Sequence, residues 1–190
     1  MKASSACDPS DSPPLIKVGE PLDFAALVRT HQRMVYSLAL RMSSNAAAAE
    51  DLAQEVFLQL HRCLADIETQ AHLRFWLRRV TTNLAIDHLR RQRKYEAAPL
   101  DEDVEAEDEA ELPDPLLQRQ MHALLEELAP QARAVVVLRY QEDMDPLEIA
   151  AALSLSPNTV KSHLRRSLQR MRMRLGFAAF EGPDRGVCEA

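Results

Sequence analysis

The sequence predicts an all-α protein made of two small helical domains joined by a flexible acidic linker. Three observations carry that expectation. Aromatic residues make up only 5% of the 190-residue chain and glycine occurs four times, a poor supply for strands, which draw on aromatic and β-branched side chains, and for their tight turns. Apolar residues instead recur at three- and four-residue steps, the spacing of one helix face. One stretch, Asp101 to Asp114, holds nine acids and no Lys or Arg, too little apolar area to fold, and it divides the chain in two.

Residues 1–21 are polar and proline-rich and are expected to form a tail. A first domain over 22–96 opens at Pro21 and Asp23, with Phe24, Leu27, Val28, His31, Val35, Leu38 and Met42 at helical spacing and Ser43-Ser44-Asn45 as the break. Asn45 is suited to cap a second helix, whose core face is Leu52, Val56, Phe57, Leu60 and Leu64 and whose opposite face carries Asp51, Gln54, Glu55 and Leu58. The longest helix runs from about His72 to Lys94, with Leu73, Trp76, Leu77, Val80 and Leu84 inward and Arg79, Asn83, Arg90 and Lys94 along an exposed stripe.

After the linker over 97–115, a second domain spans 116–175. Leu116 to Leu128 has helical spacing, and Pro130 opens a helix that ends near Tyr140. Asp145-Pro146-Leu147-Glu148 supplies an N-cap acid, Pro at the first helical position and Glu at the third, and Ser156-Pro157-Asn158-Thr159 repeats the cap and the proline. Ile149, Ala150, Leu153 and Leu155, followed by Val160, Leu164 and Leu168, make a helix-turn-helix pattern. Its second helix presents Asn158, Thr159, Lys161, Ser162, His163, Arg165 and Arg166 to a major groove, where Arg and Lys reach guanine acceptors or phosphates. Ser154 stands at the turn position where such motifs commonly have glycine, and it costs strain if its φ is positive. Residues 176–190 form a second tail.

The formal charge of −6 argues at first against a polyanionic partner, but the nine acids of the linker dominate it: outside them stand 23 bases and 20 acids, a surplus of +3. That surplus sits on two helices. Arg78, Arg79, Arg90, Arg91, Arg93 and Lys94 face the single acid Asp87 in one; Lys161, Arg165, Arg166, Arg170, Arg172 and Arg174 face none in the other. Two basic helices on an acidic tether point to two contacts with one nucleic acid.

These residues resemble a known family. Asp51-Leu-Ala-Gln-Glu-Val-Phe-Leu58 is similar to the polymerase-docking motif of bacterial sigma factors, the helix from Trp76 to Arg91 to their promoter-melting and minus-ten-reading helix, and the helix-turn-helix from Pro146 to Leu168 to their minus-thirty-five reader. With a short linker and no domain inside it, the pattern over roughly 22–175 resembles the extracytoplasmic-function group of the sigma-70 family.

The resemblance implies a non-enzymatic factor that binds core RNA polymerase and directs promoter-specific initiation at a stress- or signal-responsive regulon. Asp51, Gln54, Glu55 and Leu58 would meet the basic clamp helices of the polymerase largest subunit, with the flap as a further contact. Arg79, Asn83, Arg90, Arg91 and Lys94 would hold the minus-ten strand, and Asn158, Thr159, Lys161, Ser162, His163, Arg165 and Arg166 the minus-thirty-five duplex. The family often uses an anti-sigma partner. Trp76 offers a stacking platform, yet its place in the apolar stripe puts it in the core. The loop Asp66 to His72 lacks the Gly-Asp sequence common before this helix, so no base-capture residue is assigned in it.

Two other readings stand beside this one. A stand-alone helix-turn-helix regulator would use the second domain alone and the first for dimerisation or sensing. An enzyme is disfavoured: the six histidines are scattered, and no phosphate loop or nucleophile-base pair occurs at a diagnostic spacing. Cys7, Cys63 and Cys188 are odd in number and far apart, read as free thiols, and no metal or cofactor is expected. No apolar run approaches the ~18–20 residues of a membrane span, so no membrane insertion and a cytoplasmic location are expected.

Overall fold

A computed structural model describes residues 24–67, 69–95 and 115–175; the two tails, nearly all of the linker, Cys7 and Cys188 lie outside the described residues. Within these there are seven α-helices: α1 Phe24–Ser43, α2 Ala46–Cys63, α3 Gln70–Tyr95, α4 Pro115–Glu126, α5 Pro130–Tyr140, α6 Pro146–Leu153 and α7 Pro157–Arg174, with a 3₁₀ turn at Leu64–Asp66. No strand occurs among the described residues.

Local chemistry sets most of the boundaries. Ser44 takes the left-handed conformation (φ 57°), its N–H closes on the Leu40 carbonyl, and Asn45 then caps α2 by accepting from the Ala48 N–H at 2.9 Å. So short a connection folds α1 and α2 into an antiparallel pair. The long helix begins two residues earlier than its apolar stripe suggests because Thr69 is its cap: Thr69 Oγ1 accepts from the His72 N–H at 3.0 Å. At the other end of the chain, Asp145 and Glu148 form a reciprocal capping box and Pro146 takes the first helical position.

At 1.5 Å per residue, the 26 residues of α3 extend about 39 Å, and the two ends of the helix have different surroundings. Its N-terminal half contributes Leu73, Trp76, Leu77 and Val80 to a core shared with Leu27, Val35, Val56 and Leu60. Its C-terminal half contributes Ala85, Ile86 and Leu89 to a second cluster that includes Leu38 and Met42 of α1 as well as Leu128, Val135, Leu138 and Ile149 of the second domain. The two domains therefore close on one another, with α1 and α3 against α5 and α6. This explains why α3 is buried on more than the one stripe its sequence shows. Phe57, Leu64 and Leu84, expected in the core, are only half-buried. Thr81 and Thr82 are fully buried, and each satisfies its hydroxyl by donating to the carbonyl four residues back, at 2.7 Å.

The centre of the closed arrangement is Arg133 on α5, 3% exposed. Its guanidinium donates to the carbonyls of Leu125 at 2.8 Å and Glu126 at 2.9 Å, at the end of α4. It also donates to the Met42 carbonyl at the end of α1, in the other domain. Burial pushes the Arg133 pKa down, with Glu126 opposing and Arg93 adding to the shift. Carbonyls at helix C-termini carry the negative end of the helix dipole and lack intrahelical donors, so one cation satisfies two helix ends. Replacing Arg133 with Met removes charge-assisted bonds and leaves buried carbonyls unpaired. The expected loss is about 3 kcal/mol, read as a lower midpoint in urea unfolding.

Candidate nucleic-acid interface

The helix-turn-helix is built as its capping residues require. Ser154, at the end of α6, adopts φ 53° and ψ 44°, so the strain anticipated at this non-glycine position is present. The turn is closed by the Leu155 N–H on the Ala150 carbonyl at 2.9 Å. Ser156 then caps α7 by accepting from the Thr159 N–H at 3.1 Å. Val160, Ser167 and Met171 turn inward. That orientation leaves Asn158, Lys161, Arg165 and Arg166 exposed and Thr159, Ser162 and His163 half-buried. Leu164 and Leu168, expected inward, are half-buried as well.

The seven predicted residues are not equivalent. The Thr159 hydroxyl lies 2.8 Å from Ser156 Oγ, which ties it to the cap. Farther along, Arg174 pairs with Glu127 at 3.2 Å and Arg170 reaches the Glu127 carbonyl at 3.5 Å, so the last turns of α7 are anchored to the α4–α5 corner. Lys161, Arg165 and Arg166, nearer the start of α7, are exposed and are not part of that anchor.

On α3 the structure brings three of the five predicted residues together. Arg79, Asn83 and Arg90 line a cleft of ≈ 390 Å³ whose other wall includes Gln131 and Leu153 of the second domain. Asn83 Nδ2 donates to the Ala152 carbonyl at 3.4 Å, and Arg90 approaches Asp87 at 3.7 Å. Arg91 lies apart, its Nε donating to the Asp87 carbonyl at 3.2 Å. Lys94 continues the helix, but its side chain is outside the described residues.

On α2, Leu58 is 54% exposed, beside exposed Asp51 and Gln54 and half-buried Glu55. Glu55 accepts from Gln59 Nε2 at 2.9 Å. Gln54 and Leu58 line an open groove of ≈ 940 Å³, together with Phe24, Val28 and Tyr36 of α1 and Phe57 of α2. The sequence pattern placed Phe24 and Val28 at helical spacing and did not reveal the groove. The available signal was that the apolar residues of α1 cover more than one stripe.

In the segment before α3, Ile67 and Thr69 are buried, Asp66 and Gln70 exposed, and Glu68 lies outside the described residues. Gln70 Nε2 lies 3.1 Å from Nε2 of His31. With the amide as donor, the ring nitrogen accepts and the ring is neutral. Burial, and next the charge of Arg74, push the His31 pKa below its ordinary value. Trp76 is 5% exposed and belongs to the core, as its stripe predicted. Cys63 is a half-buried free thiol, and no His, Cys, Asp or Glu cluster among the described residues has the form of a metal site. No helix among them is long and apolar enough to cross a membrane.

Two helical modules, one of them a capped helix-turn-helix with Lys161, Arg165 and Arg166 exposed, define the class of a DNA-binding protein, and α2 carries a separate exposed acidic and apolar face. Residues 27–95 match the Sigma-70 region 2 family and residues 118–171 match Sigma-70, region 4, and the chain belongs to the extracytoplasmic-function group of the sigma-70 family. It is 40% identical over 152 residues to the ECF RNA polymerase sigma factor SigE of Mycolicibacterium smegmatis, covering 77% of this chain and 59% of that protein. It is 37% identical over 182 residues to the RNA polymerase sigma-E factor of Streptomyces coelicolor, covering 91% of this chain and all of that one. In fold it resembles the sigma factor RpoE solved with the anti-sigma factor NepR from Bartonella quintana, with a TM-score of 0.68, 18% identity, and 82% of this chain and 98% of that one covered. CnrH, solved with the cytosolic domain of CnrY, gives a TM-score of 0.58 at 23% identity, over 82% of this chain and 89% of that one.

The depressed pKa of His31 has a direct consequence for stability. As pH falls through about 6.5 the unfolded chain takes up a proton that the folded protein refuses, so stability present above that pH is lost below it. His31→Asn is expected to flatten this part of the profile, and unfolding of both proteins in urea between about pH 7 and 5 checks it.

Proposed function

We propose that this sigma factor docks on the clamp helices of core RNA polymerase through the α2 face of Asp51, Gln54, Glu55 and Leu58. It holds the minus-ten strand along Arg79, Asn83, Arg90, Arg91 and Lys94, and reads the minus-thirty-five duplex with the first half of α7. The observation that carries the reading is the division of exposed chemistry between the modules: an acidic and apolar face on α2 suits a basic partner helix, whereas the unanchored cations of α7 suit phosphates and guanine edges. The protein does its work in the cytoplasm, where polymerase and promoter are, and contributes no catalysis of its own. The flap of the polymerase is a further contact for the second domain. An anti-sigma protein is a further partner class, supported by the solved relatives that carry one.

Two measurements test the assignment. Asp51→Lys combined with Glu55→Lys is expected to abolish pull-down of core polymerase while leaving the helical circular-dichroism signal intact; retained binding removes α2 from the docking surface. Arg165→Ala is expected to weaken minus-thirty-five recognition by about 1–3 kcal/mol, seen as reduced in vitro transcription from the cognate promoter. Unchanged transcription removes Arg165 from the reader.

A further inference from the structure

The groove between α1 and α2 is lined by Phe24, Val28 and Tyr36 on one side and by Phe57 and Leu58 on the other, and none of the five is buried. A continuous apolar patch of this kind marks a docking surface. Phe24 is both a wall of the groove and the first residue of α1, so the chain enters the fold at the groove itself. This end is marked by His61, whose ring stands edge-on to Phe24 with centroids 5.0 Å apart. Tyr36 lies twelve residues further along α1, about 18 Å away at the rise of a helix.

The sequence just ahead of Phe24 has matching chemistry. Residues 2–20 hold three aliphatic side chains larger than alanine, Leu15, Ile16 and Val18, all in one tetrapeptide with Lys17. Pro13 and Pro14 precede it, and Gly19 and Pro21, residue types of turns, follow it. All of these lie outside the described residues. Six extended residues, 13–18, cover about 20 Å, the length of the groove, and residues 19–23 are left to reverse the chain. Successive side chains of an extended segment point to opposite sides, which groups Ile16 with Val18 and leaves Lys17 on the other side. Residues 13–18 carry that one cation and no acid, whereas the α2 side of the groove is bordered by Glu50, Asp51 and Glu55. Charge and apolarity are therefore complementary.

We propose that residues 13–18 are an intramolecular ligand of the α1–α2 groove, with Ile16 and Val18 against Phe24, Val28 and Phe57, and that they compete with the partner that docks on Leu58 and its acidic neighbours. The competition rests on the reading of α2 as the polymerase-docking face; the seating of the segment does not. A short tether gives even a weak segment a millimolar effective concentration, on the order of what a contact of this size needs.

The test uses the full chain. Ile16→Asp with Val18→Asp is expected to tighten binding to core polymerase about fivefold in biolayer interferometry, the factor that follows if the segment fills the groove about four-fifths of the time. Seating is read separately by disulfide formation in a chain whose Cys7, Cys63 and Cys188 are serine. Ile16→Cys with Leu58→Cys is expected to cross-link within one chain, and adding Leu15→Asp and Val18→Asp to slow this about fivefold, since the tether is unchanged. Equal rates with and without the added aspartates overturn the proposal. Cross-links that join two chains also overturn it, and make the groove an interface between copies. If seating is seen but Ile16→Asp with Val18→Asp leaves polymerase affinity unchanged, competition is overturned. Should Asp51→Lys with Glu55→Lys also keep polymerase binding, it is the α2 reading that fails, and the segment stays seated.

Discussion

A guanidinium sealed from water has to be given acceptors, and the way Arg133 obtains them organises the molecule. Two of its carbonyls come from the last turn of α4 and one from the last turn of α1. All three are main-chain carbonyls at helix ends, and the Glu126 charge favours the cation as well. The arrangement has a geometric cost: the C-termini of α1 and α4 must converge on one point of α5, in the opposite domain from α1. Once they do, Leu38 and Met42 enter the same apolar cluster as Val135 and Leu138, and the relative placement of the domains follows.

That placement gives α3 two occupations. Its N-terminal half is held by α1 and α2 whatever the second domain does, since Leu73, Trp76, Leu77 and Val80 lie in a cluster confined to the first domain. Its C-terminal half is shared. Ala85, Ile86 and Leu89 join the cross-domain cluster, Asn83 and Arg93 spend polar groups on Ala152 and Leu128, and nearer the N-terminus Arg78 pairs with Glu142. A helix needed only as scaffold would cover its apolar residues and leave its cations in water. Here some of the cations are engaged as well.

Much of this was legible in the sequence wherever a local rule decides the outcome. Asn45, Asp145 with Glu148, and Ser156 cap the helices they were expected to cap, because a cap is settled within about four residues. Trp76 is in the core and Leu58 is in solvent, because period and polarity agreed there. The misses have the opposite character. Burial of Ala85, Ile86 and Leu89 depends on α5 and α6, more than 40 residues further along the chain. A single-helix pattern holds no information about a neighbour so distant in sequence. Arg133 was invisible for the same reason, since its bonds extend to Met42, 91 residues away. The α1–α2 groove was missed because an apolar residue facing a groove and one facing a core look alike in sequence.

The two basic helices, α3 and α7, also differ in how their charge is presented. The exposed cations of α7 require no rearrangement: the cap at Ser156 and the inward Val160, Ser167 and Met171 already hold Lys161, Arg165 and Arg166 outward. The residues on α3 sit behind a wall made by the same domain that carries α7. The contacts that position α7 against α5 and α6 lie within that domain, so the helix-turn-helix is held independently of the cleft on α3.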